Sequence, residues 1–421
     1  MSSIVAPVSF KYSQLPTSIP ARKRTRRFQP TNGDVFSPAS TSVIRIPIRD
    51  QNYLDGSNSY LKFKLTNNTG FQLNLDPNAN AVITRVRILV GGVVAEDIER
   101  ANILTNMLTQ SQGDECYHKS LQIVSGQAIT DQDATNLLAG ENMPHGTSET
   151  YCIPVFSGLL NCGKFLPLGL FQSNALTLEL YLEQTNHIGV ISGDPTGDYK
   201  LSSVEYIASL IEIQDDATNK QLEMQMNTSG LEFHGTTYST HINSLSATAT
   251  NGSINIPERC KSLKGLITVL RPSDNTRAST SLQTRYPHTT AGTDFNWYYR
   301  IGSENLPQVA VGSSAESFLE FQKTYNHLWS LNQSTYANKA RWNTAWDVDT
   351  NAGCFSMTVS TESFSHTNMM ESGLDTASGA IPISLQLNGV SLSGHSAEVI
   401  TYSYKDIIWR FDSSGMFQVS L

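Results

Sequence analysis

The strongest candidate for a binding function is a short basic run near the beginning of the chain. Five of six consecutive residues are cationic: Arg22, Lys23, Arg24, Arg26 and Arg27. Cations at this density repel one another, so we expect a polyanion or an acidic partner to hold the run in place. Binding to phosphates would release counterions and would weaken with salt. The run predicts contact with a genome or a protein partner; a nuclear-import signal and a solvated tail are the alternatives.

Sequence patterns of enzyme and metal sites do not occur in the chain. It contains no GxSxG nucleophile elbow, no phosphate-binding GxxxxGK[ST] loop and no HExxH zinc motif. His234 and His241 lie seven residues apart in a predicted strand, which places them on opposite faces and not in one metal site. We therefore predict no catalytic residue, no bound metal and no cofactor.

Glu96, Asp97 and Glu99 form an acidic cluster that could in principle perform acid–base chemistry. The cluster stands at the beginning of a predicted helix, where carboxylates are stabilised by the helix dipole. This position explains the cluster without catalysis.

Aromatic residues in the second half could form a surface that stacks on sugars or bases. Alternating aromatic residues in strands belong more often to the core or to subunit contacts, and no basic groove accompanies this group. We therefore favour a structural role. The group comprises Trp297, Tyr298, Tyr299, Trp329, Trp342 and Trp346.

The composition favours β structure in a protein made in the cytosol. Charged residues are only 16% of the chain, and Ser, Thr, Asn and Gln, which compete with helical hydrogen bonds, replace them. The net charge is −8 although residues 1–40 are basic, so the rest of the chain is strongly acidic. The five cysteines are dispersed, which indicates free thiols in a reducing compartment. No apolar run is long enough to span a membrane, and the N-terminus lacks the charge order of a secretory signal.

Alternation of apolar and polar residues predicts many short strands in the first half. The spacing of apolar residues then predicts a helix over about 97–111, followed by a long irregular loop at 113–147. The predicted strands are 43–48, 60–65, 71–75, 82–89, 149–156, 165–168, 176–182 and 204–214.

The pattern starts again after a polar segment at 215–229, which we interpret as a linker. One helix is predicted at 315–328. The predicted strands of this half are 231–243, 253–256, 263–270, 295–301, 354–360, 381–387, 397–404 and 406–411.

Many short strands that do not alternate with helices predict an all-β fold. We expect two consecutive eight-stranded antiparallel jelly-roll sandwiches, each with a short helix and long loops, preceded by an extended N-terminal arm. The expected domains are a basic arm at 1–40, a first jelly roll at 41–220 and a second jelly roll at 221–421.

Several segments resemble, in their order and spacing, those of one protein family. They are SYLKF (59–63), ITRVRILVGGVVAEDIERANILTNML (83–108), FLPLGLFQSNALTLELYLE (165–183), IPERCKSLKGLITVLRP (256–272) and YRIGSENLPQ (299–308). Together they resemble the double jelly-roll major capsid proteins of double-stranded DNA viruses, in particular the virophage and polinton-like branch of the adenovirus-like lineage. The resemblance spans about residues 40–421.

The resemblance implies a structural protein of the virion, not an enzyme. Three copies would form a trimeric, pseudo-hexameric capsomer, and capsomers would pave an icosahedral shell. The implied partners are further copies of the chain, minor capsid and penton proteins, and the viral genome or an inner layer through the N-terminal arm. Synthesis would take place in the host cytoplasm, with nuclear import as an option.

Two alternatives stay open at this point. The first is a capsid protein with one shell jelly roll, a different projecting β-domain and an Arg-rich arm that packages RNA or single-stranded DNA. The second is a carbohydrate-binding or glycoside-cleaving β-sandwich protein, which requires two carboxylates across a cleft lined by Trp297, Trp342 or Trp346.

Overall fold

Most of the chain forms short antiparallel strands, as the alternation of apolar and polar residues predicts. The computed structural model describes residues 19–76, 78–111, 115–126, 142–171, 175–191, 193, 195–273, 294–325, 342, 354–364, 370–392, 394–412 and 416–420. The strands of the first half are β1 (Ala21–Phe28), β2 (Val35–Phe36), β3 (Val43–Ile48), β4 (Tyr53–Thr66), β5 (Leu73–Leu75), β6 (Ile83–Val90), β7 (Val93–Glu99), β8 (Asn142–Met143), β9 (Ser148–Ile153), β10 (Leu166–Pro167), β11 (Leu176–Leu182), β12 (Gly189–Ile191) and β13 (Lys200–Ile213).

The second half repeats this pattern with nine described strands. They are β14 (Leu231–Leu245), β15 (Asn251–Ile256), β16 (Leu263–Pro272), β17 (Asn296–Ile301), β18 (Glu304–Val311), β19 (Met357–Ser360), β20 (Ile383–Asn388), β21 (Ala397–Phe411) and β22 (Phe417–Ser420). The helices are α1 (Ala101–Ser111) and α2 (Glu115–Ser125) in the first half, α3 (Asp216–Ser229) between the halves and α4 (Ser314–Tyr325) in the second half.

Each half is a sandwich of two antiparallel sheets with one topology. In the first sandwich the sheets have the orders β1-β13-β4-β9 and β3-β11-β6-β7. In the second sandwich the orders are β14-β21-β16-β19 and β15-β20-β17-β18. When the eight strands of each half are numbered along the chain, both sandwiches read 1-8-3-6 and 2-7-4-5, which is the jelly-roll pattern. The predicted fold of two consecutive jelly rolls is confirmed.

The cores lie between the paired sheets and are apolar. Ile44, Ile46 and Ile48 of β3 are buried, whereas the residues between them are partly or fully exposed, because successive side chains of a strand point to opposite faces. The second core contains the fully buried rings of Trp297 and Tyr299.

The described part of the predicted N-terminal arm belongs to the first sandwich and does not lie apart from it. Strand β1 pairs along its whole length with β13, from Ala21 opposite Ile213 to Phe28 opposite Tyr206. It is the first of the eight strands of the first sandwich, and the predicted limit at residue 40 therefore falls after this strand. Acidic groups of the same chain neutralise part of its charge, which is why the run can join a sheet.

The helices differ from the prediction at three places. Residues 97–99, predicted as helical, belong to β7, and α1 begins only at Ala101. Helix α2 lies in the segment predicted as an irregular loop. Helix α3 occupies the predicted linker; Asp215 caps its first turn and Gly230 ends it with a φ of 78°. Among the described residues, no helix is long and apolar enough to cross a membrane.

Candidate functional sites on the two sandwiches

The basic strand β1 lies at an exposed edge of the first sandwich. Its residues 21–27 are all exposed, and only Phe28 is buried. Among the described strands, β13 alone pairs with β1, so no described strand occupies the other edge of β1. The strand therefore combines exposed cations with an edge that can accept a neighbour.

Three of its five cations pair with carboxylates of the same sandwich. Arg24 lies 2.7 Å from Glu212, Arg26 2.5 Å from Asp50 and Arg27 3.4 Å from Glu205. These acids of the same chain neutralise part of the charge of the run, and its contact with a genome or a protein partner stays a prediction.

Asp50 shows the electrostatic effect of this pairing. Burial raises the pKa of Asp50, but the hydrogen bonds from Arg26 and from the Asn52 backbone outweigh burial, so its pKa lies below the ordinary value. Within the described part of the chain, Arg22 and Lys23 form no ion pair, which leaves two cations at the start of β1 for a partner.

A second site is the junction between the sandwiches, where β7 of the first meets β14 and β21 of the second. The fully buried carboxylate of Glu96 joins them. Its Oε1 accepts hydrogen bonds from the hydroxyl of Thr237 at 2.6 Å and from the backbone N–H of Gly158 at 2.8 Å. Its Oε2 accepts one from the hydroxyl of Ser157 at 2.5 Å. Burial raises the pKa of Glu96 despite these hydrogen bonds.

Backbone carbonyls at the end of β7 add further hydrogen bonds to the junction. The indole N–H of Trp409 donates to the carbonyl of Ala95 at 2.9 Å, and the hydroxyl of Thr240 donates to the carbonyl of Glu99 at 2.8 Å. The hydroxyl of Tyr402 donates to the carbonyl of Arg100 at 2.9 Å. These bonds satisfy carbonyls in and just after an edge strand that pairs, among the described strands, with β6 alone.

Arg100 also joins the sandwiches through its side chain. Its guanidinium lies 2.9 Å from Glu398 of the second sandwich and 3.6 Å from Glu183 of the first. Burial raises the pKa of Glu183, but His187, Arg271 and Arg100 lower it more strongly, to about 2. The buried carboxylates and guanidinium of the junction thus neutralise one another.

Close packing completes the junction. A Cβ on Gly158 would stand 2.0 Å from the carbonyl oxygen of Thr236, so only glycine fits there. The rings of Phe171 and Phe411 stack with centroids 4.4 Å apart. Hydrogen bonds, ion pairs and ring contacts thus join the two sandwiches.

A polar cleft of about 520 Å³ opens beside this junction. Lys264 lines it, lying 3.0 Å from Glu362 and 3.3 Å from Asp406 and over the ring of Tyr404. Because carboxylates already surround this lysine, it is not available to pair with an ionic ligand.

The other candidate residues lack the arrangement of an active site. Glu96, Asp97 and Glu99 lie in strand β7, so the predicted explanation by a helix dipole is wrong; the junction explains Glu96 instead. His234 lies beside Glu232 at 3.9 Å. His241 pairs with the buried Glu258 at 3.1 Å. No group of three or more potential metal ligands occurs among the described residues.

The aromatic group belongs largely to the core. Trp297 and Tyr299 are buried in β17, and Tyr298 between them is partly buried. Trp342 is buried against Phe318 and donates its indole N–H to the carbonyl of Ser314 at 2.8 Å. Trp329 and Trp346 lie outside the described residues. Since Trp297 and Trp342 are buried, they line no sugar-binding cleft.

Sequence comparisons identify no relatives of this chain. No protein-family model matches it, and no curated protein matches it.

Comparison with solved structures finds similar proteins over the whole length. The capsid protein VP54 of PBCV-1, fitted into a reconstruction of the virophage Sputnik, has a TM-score of 0.64 at 11% identity, with 98% of this chain and 99% of that chain covered. The Faustovirus major capsid protein has a TM-score of 0.61 at 7% identity, with 96% and 92% covered. The mavirus major capsid protein has a TM-score of 0.53 at 12% identity, with 100% and 93% covered. The chain therefore has the double jelly-roll fold of these major capsid proteins.

Proposed function

We propose that this chain is a structural protein of a viral capsid that associates with copies of itself to form capsomers of an icosahedral shell. One observation carries the proposal: two complete jelly rolls of the same topology are joined by buried hydrogen bonds and ion pairs in one chain that matches major capsid proteins over its whole length. A capsomer needs such a junction, because the geometry of the shell is lost if the two sandwiches of a chain move independently. The protein would therefore be a component of the virion.

In the capsomer that we propose, three copies place six similar sandwiches around one axis. Each copy supplies two positions of a pseudo-hexagonal ring. Closed symmetric rings are the usual form of homo-oligomers whose contacts join two different surfaces. Contacts with minor capsid proteins, penton proteins and the genome stay predictions of this model.

We also propose domain limits that follow the strands. The first jelly roll includes β1 and ends with β13, and the second begins at β14. Helix α3 connects them, so the limit between the domains lies within residues 214–230.

The alternatives lack support at specific points. A single shell domain with a different projecting domain requires two unlike halves, whereas the sandwich in each half is built from eight described strands in the same order. A carbohydrate site requires exposed tryptophans, whereas Trp297 and Trp342 are buried.

The test is the mass of the purified protein in solution, followed by negative-stain imaging of the same peak. We expect a mass of three chains and six-sided particles in projection. A strict monomer at all protein and salt concentrations would overturn the proposal. Dimers or small shells with nucleic acid that salt removes would favour the single-shell-domain alternative.

A further inference from the structure

Three charged side chains of the second sandwich meet at the polar cleft. Lys264 lies in β16, Asp406 lies in the neighbouring strand β21, and Glu362 follows β19. The amine nitrogen Nζ of Lys264 lies 3.0 Å from Oε1 of Glu362 and 3.3 Å from Oδ1 of Asp406. The side chains of Lys264, Glu362 and Asp406 are only 9%, 12% and 4% exposed. One carboxylate would neutralise the lysine, and a second buried carboxylate is costly, so its presence needs a further explanation.

An irregularity of β16 determines where the side chain of Lys264 lies. In the pairing of β16 with β21, Leu263 lies opposite Lys405 and Gly265 lies opposite Tyr404, so Lys264 is an extra residue without a partner in β21. A β-bulge of this kind turns a side chain away from the regular alternation of the strand, and such bulges are common beside reactive groups. Here the bulge places an amine against a carboxylate of the neighbouring strand.

The two oxygens of the Asp406 carboxylate have different surroundings. Oδ2 accepts hydrogen bonds from the hydroxyl of Ser262 at 2.6 Å and from the backbone N–H of Glu371 at 3.0 Å. Glu371 has a φ of 58°, which residues other than glycine rarely adopt, and the N–H of Gly373 donates to Ser262 at 3.0 Å. Oδ1 is buried beside the amine but accepts no hydrogen bond from the described residues. Two fixed donors on one oxygen favour addition of a nucleophile to the carbon between the oxygens.

We propose that the amine of Lys264 and the carboxylate of Asp406 condense to an amide, an isopeptide bond that links β16 to β21, with Glu362 as the proton carrier. Because Cγ of Asp406 is bonded to Oδ1, it lies next to the amine nitrogen, as the approach of two reacting groups requires. The other product is water, so the reaction needs no cofactor and no oxidant.

The reaction begins with a proton transfer within the ion pair. The ammonium of Lys264 gives one proton to Oδ1 of Asp406, which leaves an amine beside a carboxylic acid. The amine nitrogen then forms a bond to Cγ, and the electron pair of the carbonyl moves to Oδ2, where the hydroxyl of Ser262 and the N–H of Glu371 stabilise it. Glu362 takes a second proton from the nitrogen and delivers it to Oδ1. The bond between Cγ and Oδ1 breaks, and water leaves through the cleft.

The charge of Lys264 makes the reaction slow. Burial lowers the pKa of Lys264, but Glu362, Asp406 and Tyr404 outweigh burial, so its pKa lies above the ordinary value. The amine is therefore protonated most of the time, and the proton transfer must come first. A bond that forms once in each folded chain does not require a fast reaction.

The bond would strengthen the strand that carries the junction between the sandwiches. Strand β21 contains Tyr402 and Trp409, which donate hydrogen bonds to carbonyls of the first sandwich. An amide between Lys264 and Asp406 would close a covalent loop around β17 to β20 and restrict the unfolded chain as a disulfide does. The cysteines whose state the structure describes are free, so no disulfide supplies such a link among them.

The mass of the intact, denatured chain tests the proposal. After allowance for the substituted side chain, we expect the purified full-length protein to be lighter than its Lys264→Arg variant by one molecule of water. A tryptic digest of the wild type should contain a branched peptide that joins the segments of Lys264 and Asp406. Equal masses after long incubation of the folded protein, or a loss of water located elsewhere in the chain, would overturn the proposal.

Two further variants test the part that each group plays. Glu362→Gln removes the proton carrier and should retain the full mass, whereas formation of the branched peptide at the wild-type rate would refute this role. Lys405→Arg is the matched control, because Lys405 lies 3.0 Å from another buried carboxylate, that of Glu258. It should still lose one water. The mass of the wild type decides the proposal even where a variant does not fold, and it does so whether or not the chain forms a capsomer.

Discussion

The carboxylate of Glu96 accepts a 2.6 Å hydrogen bond from the hydroxyl of Thr237, 141 residues away in the other sandwich. Ser157 and Gly158 donate to the same carboxylate, so one buried side chain ties an edge strand, a loop and the second sandwich together. Buried polar groups that are fully hydrogen-bonded fix a single arrangement, because any displacement would leave donors without acceptors. Glu96 therefore determines how the two jelly rolls sit on each other.

Replacing Glu96 should destabilise the whole chain. Glu96→Ala leaves the donors of Ser157, Gly158 and Thr237 unpaired, and we expect a loss of at least about 1–3 kcal/mol in the free energy of unfolding. Glu96→Gln keeps the shape and an acceptor oxygen, so its effect should be smaller. Urea denaturation followed by fluorescence measures both. Equal stability of Glu96→Ala and the wild type would show that the junction is held by its other contacts.

The close approach at Gly158 gives a prediction about packing. Gly158→Ala places a methyl group against the carbonyl oxygen of Thr236, and we expect it to separate the sandwiches locally at a cost of about 1–3 kcal/mol. Gly312→Ala is the matched control, because an added Cβ there meets no atom of the described residues within 4 Å. Thermal unfolding compares the two variants. If both shift the melting temperature alike, the effect is one of backbone entropy and not of packing.

Two buried carboxylates predict loss of stability in acid. Burial raises the pKa of Glu258, but hydrogen bonds and charge from His241 and Lys405 outweigh it and lower the pKa to about 2; Glu183 also has a pKa of about 2. Since these values lie below the ordinary 4.5 of an unfolded chain, both groups contribute stability above pH 4.5 and lose it as the pH falls towards 2.

This pH dependence can be assigned by substitution. Unfolding free energy is measured by urea titration between pH 5 and pH 2. Glu258→Gln should flatten the slope in this range, whereas Glu149→Gln, at an exposed glutamate, should not. Glu96 acts in the opposite direction, because its raised pKa favours the folded state as the carboxyl becomes protonated. An unchanged slope in Glu258→Gln would contradict the assignment.

The sequence predicted the architecture because alternation is a local signal. Strand β11 shows this well: Leu176, Leu178, Leu180 and Leu182 are all buried, as their spacing indicates. The same local signal misled the assignment of residues 97–99. Their apolar spacing continues that of α1, but residues 97–99 lie opposite β6, and the guanidinium of Arg85 in β6 donates to both carboxylate oxygens of Asp97, which holds them in β7.

The place of the basic run in a sheet could not be predicted either, because it depends on residues far along the sequence. Repulsion among five cations argues against a sheet when only the run is considered. Glu205 and Glu212 of β13 and Asp50 after β3 lie far along the sequence, and only the fold brings them to Arg27, Arg24 and Arg26. A sequence signal did exist: Glu205 and Glu212 both lie in the predicted strand 204–214, which needed a neighbour.

Substituting Arg22 and Lys23 of β1 distinguishes a contact between copies of the chain from a contact with a genome. We expect Arg22→Gln combined with Lys23→Gln to weaken the trimer, because these two exposed cations form no ion pair among the described residues and would be left for an acidic surface of a neighbouring copy, and to leave affinity for a DNA duplex unchanged. Lys220→Gln, at an exposed cation on α3, is the control for a general change in net charge. Sedimentation measures assembly, and DNA binding is titrated at several salt concentrations, because phosphate contacts would appear as a steep loss of affinity with salt. A tenfold loss of DNA affinity with an unchanged trimer would assign the strand to the genome instead.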